Sequence, residues 1–464
     1  MFYYKSFFRF SLLGLFIFTS AIVVAQNSER DTIPENDIPV SICGITVKTV
    51  IETNSFPNGI NEMYRFLDGH LSGVSVQNVS NTFGAMPFIN IRGKSSLADK
   101  YQPLWIIDGV VVENLVELTN NDLASGDAVT LIRSALSGLN PNDIEKMEVL
   151  KDGSATALYG ARAMAGAIVV TTKKGRQGHR QITYKGAYTS RLKPSYNDFN
   201  IMNSQQEMKF FHELESKGWL SPPVMISAPN WGVYGKMYEL MNTYDPSTSR
   251  PFLENTLQAR NKYLQQAEFR NTDWFDELFQ STIMSSHSLS LSAGNEKAAL
   301  YASLGALIDP GWYKQSNVNR YTANVNASYK LLRNLSIAVL SNIAYRKQNA
   351  PGTTNSSTDR YGQRTREFEI NPYWLATNLS RSMDAATDYR RNYDSFNPIN
   401  ELNNNYLHTN VIDAKIQAQI NWKILTNLEL TVSETYQYAK ASQEHYATEN
   451  SNQALAYRAG MNTP

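Results

Sequence analysis

Single alternation of apolar and polar residues marks the second part of the chain. From Arg320 to Leu331 the odd positions are Tyr321, Ala323, Val325, Ala327, Tyr329 and Leu331, and the even ones are Arg320, Thr322, Asn324, Asn326, Ser328 and Lys330. A period of two places these sets on opposite sides of an extended strand. The pattern returns from Ile412 to Trp422, with Ile412, Ala414, Ile416, Ala418 and Ile420 against Asp413, Lys415, Gln417, Gln419 and Asn421. It returns again from Leu428 to Tyr438, where Glu434 is the departure on the apolar side. Weaker versions run through Ile182 to Tyr188, Ser286 to Ala293, Leu300 to Ile308 and Leu335 to Tyr345, so the alternation predicts seven strands.

Alternation alone fits a soluble sandwich and a membrane wall equally, and the connections separate them. Residues 294–297, 332–334 and 425–427 are tight links, whereas 191–281, 309–317 and 347–407 are longer. Antiparallel outer-membrane barrels sort their links this way, short on one rim and long on the other, and a sandwich has no reason to do so. Tyr321, Tyr329, Tyr345 and Tyr438 near strand ends suit an interfacial girdle. Within the first long link, Ser204 to Lys217 reads as a helix capped by Ser204 and ended by Gly218, and Leu253 to Phe269 as another. Residues 347–407 are rich in Asn, Ser, Thr, Tyr and Arg, a composition open to polar ligand binding or to plain solvation.

Before residue 179 the pattern differs. Leu139 to Gly175 reads LNPNDIEKMEVLKDGSATALYGARAMAGAIVVTTKKG. Asn140 caps a short helical turn holding Pro141, with Asp143 and Glu145 at its positive end. An extended run through Met147 and Val149 follows, then a second short helix from Ser154 closed by Gly160. Ile168, Val169 and Val170 then form a strand buried on both faces. Upstream, Asn61 to Asp68 is expected as a helix, Val74 to Val79 and Phe88 to Arg92 as strands, and Trp105 to Val112 as a strand broken at Asp108-Gly109. Residues 61–178 thus make one α+β unit.

Composition narrows the function classes. Lys and Arg number 43 against 42 Asp and Glu in 464 residues, which implies no nucleic-acid face. The single Cys43 excludes an intrachain disulfide framework, and the six histidines are scattered. His212-Glu213 begins a zinc-protease motif but Ser216 stands where the second ligand belongs; Arg92-Gly93-Lys94-Ser95 resembles a phosphate loop but Phe88 stands where its first glycine belongs. No catalytic, metal or cofactor site is expected. Met1 to Ala25 reads as a cleaved signal peptide, with Lys5 and Arg9 before an apolar run of roughly 15 residues, short of the ~20 that a helical span needs. Residues 26–60 form a flexible N-terminal segment holding the β-prone run Val40-Ser41-Ile42-Cys43-Gly44-Ile45.

FINIRGKSSL (Phe88 to Leu97), PLWIIDG (Pro103 to Gly109) and the Leu139 to Gly175 stretch, in that order, closely resemble the plug of the SusC/RagA family of TonB-linked outer-membrane transporters. Looser similarity runs through Asn271 to Gln280 and on to Tyr345. The chain departs from the family at Val111 and Ala165, where proline and asparagine are usual. It also lacks room for the family's small N-terminal β-sandwich, since only residues 26–66 precede Leu67 in the mature chain. The resemblance implies a plug at 61–178 followed by a partial outer-membrane β-barrel at 179–464, with long outer loops at 191–281 and 347–407. It also implies import of a large nutrient, oligosaccharide or peptide. The partners it implies are outer-membrane lipid, a TonB-type energy-transducing complex and a SusD-like surface lipoprotein.

Under that reading Arg92, Asp108, Lys151, Asp152 and Arg162 are expected at plug-to-lumen polar contacts. Val40, Ser41, Ile42 and Ile45 are a candidate TonB-contact segment, or else simply the first plug strand. A plugged transporter uses about twenty-two strands, so seven are expected to be the N-terminal fragment of a longer protein. The reading from a different class is a secreted adhesion or binding protein with an α/β head and a β-sandwich. A third, an exported hydrolase, lacks a recognisable nucleophile or carboxylate pair.

Overall fold

The computed structural model describes residues 14–25, 48–52, 67, 73–77, 88–91, 103–112, 138–151, 159–178, 180–352, 357–358, 364–365, 370–425 and 427–461. Strand β1 is Gly14–Ala25. The plug holds β2 (Lys48–Glu52), which pairs with its sheet although 26–60 was expected to be flexible and the plug to begin at 61, with β3 (Val74–Gln77), β4 (Phe88–Ile91), β5 (Leu104–Ile107), β6 (Val110–Val111), β7 (Ile144–Leu150) and β8 (Ala167–Thr172). Five of these form one sheet in the order β2-β7-β8-β5-β6, and β3 pairs with β4. β8 lies at the centre, antiparallel to β7 and parallel to β5. Its Ala167, Ile168 and Val170 are fully buried, which is why its apolar residues run together instead of alternating. Trp105, Ile144, Met147, Val149 and Ile168 form the core.

The plug's turns follow the sequence closely. Asn140 accepts a hydrogen bond from Asn142 N and caps the 3-10 turn Pro141–Asp143. Asp108 and Gly109 both take positive φ (52° and 84°), which turns β5 back into β6 as a tight hairpin requires. Gly160 sits at φ 72° where a left-handed residue was expected, while the helix from Ser154 and the one at 61–68, apart from Leu67, lie outside the described residues.

All seven alternating strands are present and longer than the pattern alone marks. They are β9 (Arg180–Arg191), β10 (Thr282–Gly294), β11 (Ala298–Asp309), β12 (Asn317–Leu332), β13 (Leu335–Pro351), β14 (Asn405–Leu425) and β15 (Leu428–Ala447). Each pairs antiparallel with the next, and the wall does not close on itself among the described residues. The polar face turns inward onto the plug: Ser288, Asn324, Asn326 and Gln417 are buried. The apolar face turns out and stays bare, with Ile182 75%, Leu304 61% and Ile416 50% exposed. A soluble sandwich requires the reverse, so the incomplete-barrel reading holds and the sandwich does not. Tyr321 and Tyr329 on β12 stand about 27 Å apart along the strand, or about 20 Å along the normal at a 40° tilt, close to the height of an apolar band.

β1 was expected as a leader segment outside the fold. In the structure it pairs antiparallel with the free edge of β15, Gly14 opposite Ala439 through Ala25 opposite Leu428. An apolar, β-prone run supplies the donors and acceptors that an open edge lacks.

The long links fold into an outer helical layer. Residues 191–281 hold α1 (Ser204–Ser216), α2 (Pro222–Ser227), α3 (Val233–Asn242), α4 (Leu257–Arg270) and α5 (Trp274–Leu278). Residues 347–407 hold α6 (Pro372–Asn378) and α7 (Pro398–Asn404), and α8 (Asn452–Met461) follows β15. The α1 cap is Asn203 rather than Ser204: its side chain accepts from Gln206 N while Gln206 Oε1 accepts from Asn203 N, a reciprocal capping box. Gly218 at φ 71° ends the helix as expected, and α4 starts at Leu257 behind a Thr256 cap instead of at Leu253.

The two links share one apolar core. Trp231, Met237, Trp274 and Phe275 from the first pack with Leu375, Tyr389, Phe396 and Leu402 from the third. Trp274 Nε1 donates to Ser380 O (3.0 Å), Arg270 donates to Ser382 O (2.6 Å), and the Arg381 guanidinium lies 4.0 Å from the Tyr196 ring centroid. Glu207 Oε2 accepts from Ser380 Oγ (2.7 Å), Arg381 N (3.0 Å) and Ser382 N (3.3 Å), clasping α1 to the far link. Replacing Glu207 with Ala strands those donors at a cost of about 1–3 kcal/mol. The E207A protein is therefore expected to be nicked faster by trypsin in the outer links while the wall strands keep their resistance. An unchanged nicking rate would show that the clasp contributes nothing.

Candidate functional site at the plug and wall interface

The site is the seam where the turns of the plug sheet meet the polar face of the wall. Two plug turns reach it. The first, Asn140 to Asp143, meets β10 and β11: Asn140 Nδ2 donates to Ser288 Oγ (3.3 Å) and Tyr301 Oη donates to Asp143 Oδ1 (2.9 Å). Gly305 on β11 makes the first approach possible, because a Cβ there would lie 2.6 Å from Asn140 Nδ2 and closer still to Thr322 Oγ1. Lys173 steadies the turn from within, its Nζ donating to Asn142 O (2.7 Å) and its N–H to Asp143 O (2.8 Å).

The second turn is Asp108-Gly109. Asp108 is spent inside the plug, its carboxylate accepting from Thr172 N (2.9 Å) and Thr172 Oγ1 (2.8 Å). Thr172 Oγ1 in turn accepts from Asn326 Nδ2 of β12 (2.9 Å), and Asn326 Nδ2 also reaches Lys173 O (2.7 Å). β14 supplies the remaining contacts: Lys415 Nζ donates to Ile107 O (3.2 Å) and Gln417 Nε2 to Asp108 O (3.1 Å). Beside them Gln437 Nε2 donates to Asp413 Oδ1 (3.1 Å).

Of the charged residues singled out in the sequence, Asp108 lies at this interface. It touches the wall through its carbonyl and through Thr172, not through its carboxylate. Lys151 is buried at the end of β7, and Arg162 stands exposed on the 3-10 turn Gly160–Ala163. Arg92, Asp152 and the segment Val40, Ser41, Ile42 and Ile45 lie outside the described residues. The wall-facing partners Ser288, Tyr301, Asn326, Lys415 and Gln417 were missed as site residues, although strand parity had already set Asn326, Lys415 and Gln417 on a polar face.

Burial pushes the Asp143 carboxyl above the usual carboxylate range, against the pull of its hydroxyl partners and of Lys173, and it lowers the Lys173 ammonium. A carboxyl raised on docking stabilises the docked plug fully below its free pKa of about 3.9, and that contribution is lost as pH rises through the raised value. Plug docking, read as protease resistance of the plug, is therefore expected to weaken from about pH 4 upward, and Asp143→Asn to flatten the profile. An identical profile in D143N would remove Asp143 from the docking equilibrium. Gly305→Val is expected to leave the wall folded but to raise the rate at which trypsin cuts the plug. Wild-type cutting in that variant would mean that Asn140 does not need the space.

Among the described residues no group of three or more His, Cys, Asp or Glu stands ready to hold a metal. Residues 45–167 match the family described as TonB-dependent Receptor Plug Domain. TonB-dependent receptor SusC of Bacteroides thetaiotaomicron is 30% identical over 261 residues, covering 56% of this chain and 20% of the relative. TonB-dependent receptor P26 of Formosa agariphila is 25% identical over 324 residues, covering 70% of this chain and 26% of the relative. The chain thus spans about a quarter or less of these relatives' lengths. In fold it resembles the RagAB peptide transporter, with a TM-score of 0.60 at 19% identity over 86% of this chain and 41% of that one. Residues 45–167 are thus a TonB-dependent receptor plug domain, the likeness to SusC extends beyond it, and the chain is similar in fold to the RagAB transporter.

Proposed function

We propose that the chain forms the plug and opening wall strands of an outer-membrane importer for a nutrient too large for a passive pore, an oligosaccharide or a peptide. One observation carries the reading: a folded stopper rests on the polar face of a sheet whose apolar face is bare, held there by polar contacts of 2.9 to 3.2 Å. Further strands complete the wall, and residues 1–25 are a leader lost on export. The leader's departure frees the β15 edge for the next strand. A TonB-type complex takes hold of the N-terminal segment around Val40, Ser41, Ile42 and Ile45. Pull then reaches the plug through β2, the edge strand of its sheet. A SusD-like surface lipoprotein closes over the outer helical layer. Support for that partner comes from the likeness to SusC, and for a peptide cargo from the name of the RagAB transporter.

The test deletes residues 40–45 from the full-length gene in its own bacterium. The protein is expected still to fractionate with the outer membrane and to need detergent, while growth on the oligosaccharide or peptide that depends on the gene is lost. Growth equal to wild type would end the proposal that this segment powers import. A full-length protein that stays monomeric in plain buffer would end the importer reading altogether.

A further inference from the structure

The short links of the wall gather cations that the plug contacts do not use. Arg180 opens β9, Lys297 lies in the 294–297 turn, Lys330 precedes the 332–334 turn that holds Arg333, and Lys423 stands near the end of β14. Backbone bonds draw them into a belt: Lys330 N donates to Lys297 O (2.7 Å), and Lys423 N donates to Asn334 O (2.8 Å), next to Arg333. Arg180 joins the belt opposite Ala293 in the β9–β10 register. All five are exposed, and among the described residues none is ion-paired. The acids of the same turns are Glu296 and Glu429, too few to balance them, and Arg176 of the neighbouring link already has Glu145 at 3.9 Å. Like charges held side by side repel, and a bound anion relieves that repulsion.

Next to the belt the apolar face is hollowed. In the cross-strand row Leu300, Ala327 and Val339 a small residue stands between two large ones, and Ala293 and Ala298 extend the floor. The result is an open trough of ≈ 520 Å³ walled by Leu300, Tyr329, Ile337 and Val339, with Arg180 at its edge. Arg180 shares the parity of Ile182 and Tyr184 and so belongs to the same outward face of β9. Tyr329 marks the height at which hydrocarbon gives way to headgroups. A second trough of ≈ 520 Å³, edged by Tyr184, His287, Tyr321 and Tyr345, has no lysine or arginine in its lining.

We propose that the trough beside the belt is a site for one acidic phospholipid of the periplasmic leaflet. Its acyl chain lies along the alanine floor, and its phosphate meets Arg180, whose planar guanidinium offers paired donors to phosphate oxygens. Lys297 and Lys330 add to the positive field that holds the headgroup. The inference rests on the import reading, which puts the apolar face in lipid and the short links in the periplasm, and it adds a selected lipid. Apolar burial and charge together favour an anionic amphiphile; a cell-wall glycan would answer the belt but leave the trough empty.

The test extracts the full-length protein in mild detergent, adds equal amounts of phosphatidylglycerol and phosphatidylcholine, and reads the singly lipid-bound species by native mass spectrometry. Heat-shifted migration on gels checks that every variant folds. Wild type is expected to retain phosphatidylglycerol severalfold over phosphatidylcholine. The R180Q/K297Q/K330Q protein is expected to bring that ratio close to one, and Ala327→Leu, which fills the trough and keeps every charge, to lower it as well. No preference in wild type, or a preference that survives in the charge variant, overturns the site. A preference that survives Ala327→Leu leaves only a diffuse layer of counter-ions and overturns it too. Wild-type binding to purified peptidoglycan without any lipid preference would give the belt to the cell wall instead and end the lipid proposal. These outcomes leave import standing; a full-length protein that needs no detergent is what would end it.

Discussion

A strand with one apolar and one polar face cannot give both to the same surroundings, and this constraint organises the protein. Along β12 the outward residues from Tyr321 to Leu331 are hydrocarbon or tyrosine, and those between them are amide or hydroxyl, with cationic Arg320 and Lys330 at the two ends. With the apolar face left bare, the polar face needs a partner that supplies donors and acceptors at fixed positions. The plug supplies them through its turns, because a turn presents side-chain oxygens, free carbonyls and N–H groups that a sheet has already consumed elsewhere. Asn140 to Asp143 and Asp108-Gly109 are both such turns.

Sequence legibility follows the same division. The seven wall strands were readable because their period is long-range and redundant: β14 alone repeats it from Ile412 to Trp422. The central strand β8 was readable because burial on both faces abolishes the period. The pairing of β1 with β15 was not, since edge filling depends on what lies beside a strand rather than on its own residues. Asn203 was missed as the α1 cap because Ser204 is an equally good candidate by type, and only the return bond from Gln206 decides between them.

Charge proved a weaker guide to the interface than parity. Asp108 was singled out for its charge, but its carboxylate serves Thr172 within the plug and only its carbonyl faces β14. The wall contacts come largely from neutral groups, Ser288, Tyr301, Asn326 and Gln417, that charge-based reading passes over. Neutral contacts fit the place: buried ion pairs carry large desolvation costs, whereas amide and hydroxyl bonds are remade with water at little net change. The outer layer is built on the other principle, with a shared aromatic core of Trp274, Phe275 and Phe279 fixing it as a roof.

These magnitudes set the order in which the structure gives way. Each named plug-to-wall bond contributes on the order of 1 kcal/mol net, so together they amount to a few kcal/mol. Truncating one buried core residue of the plug, such as Met147 or Ile168, costs on the order of 2–5 kcal/mol, as much as the whole set of contacts. A load applied to the plug therefore undocks it before it melts its core.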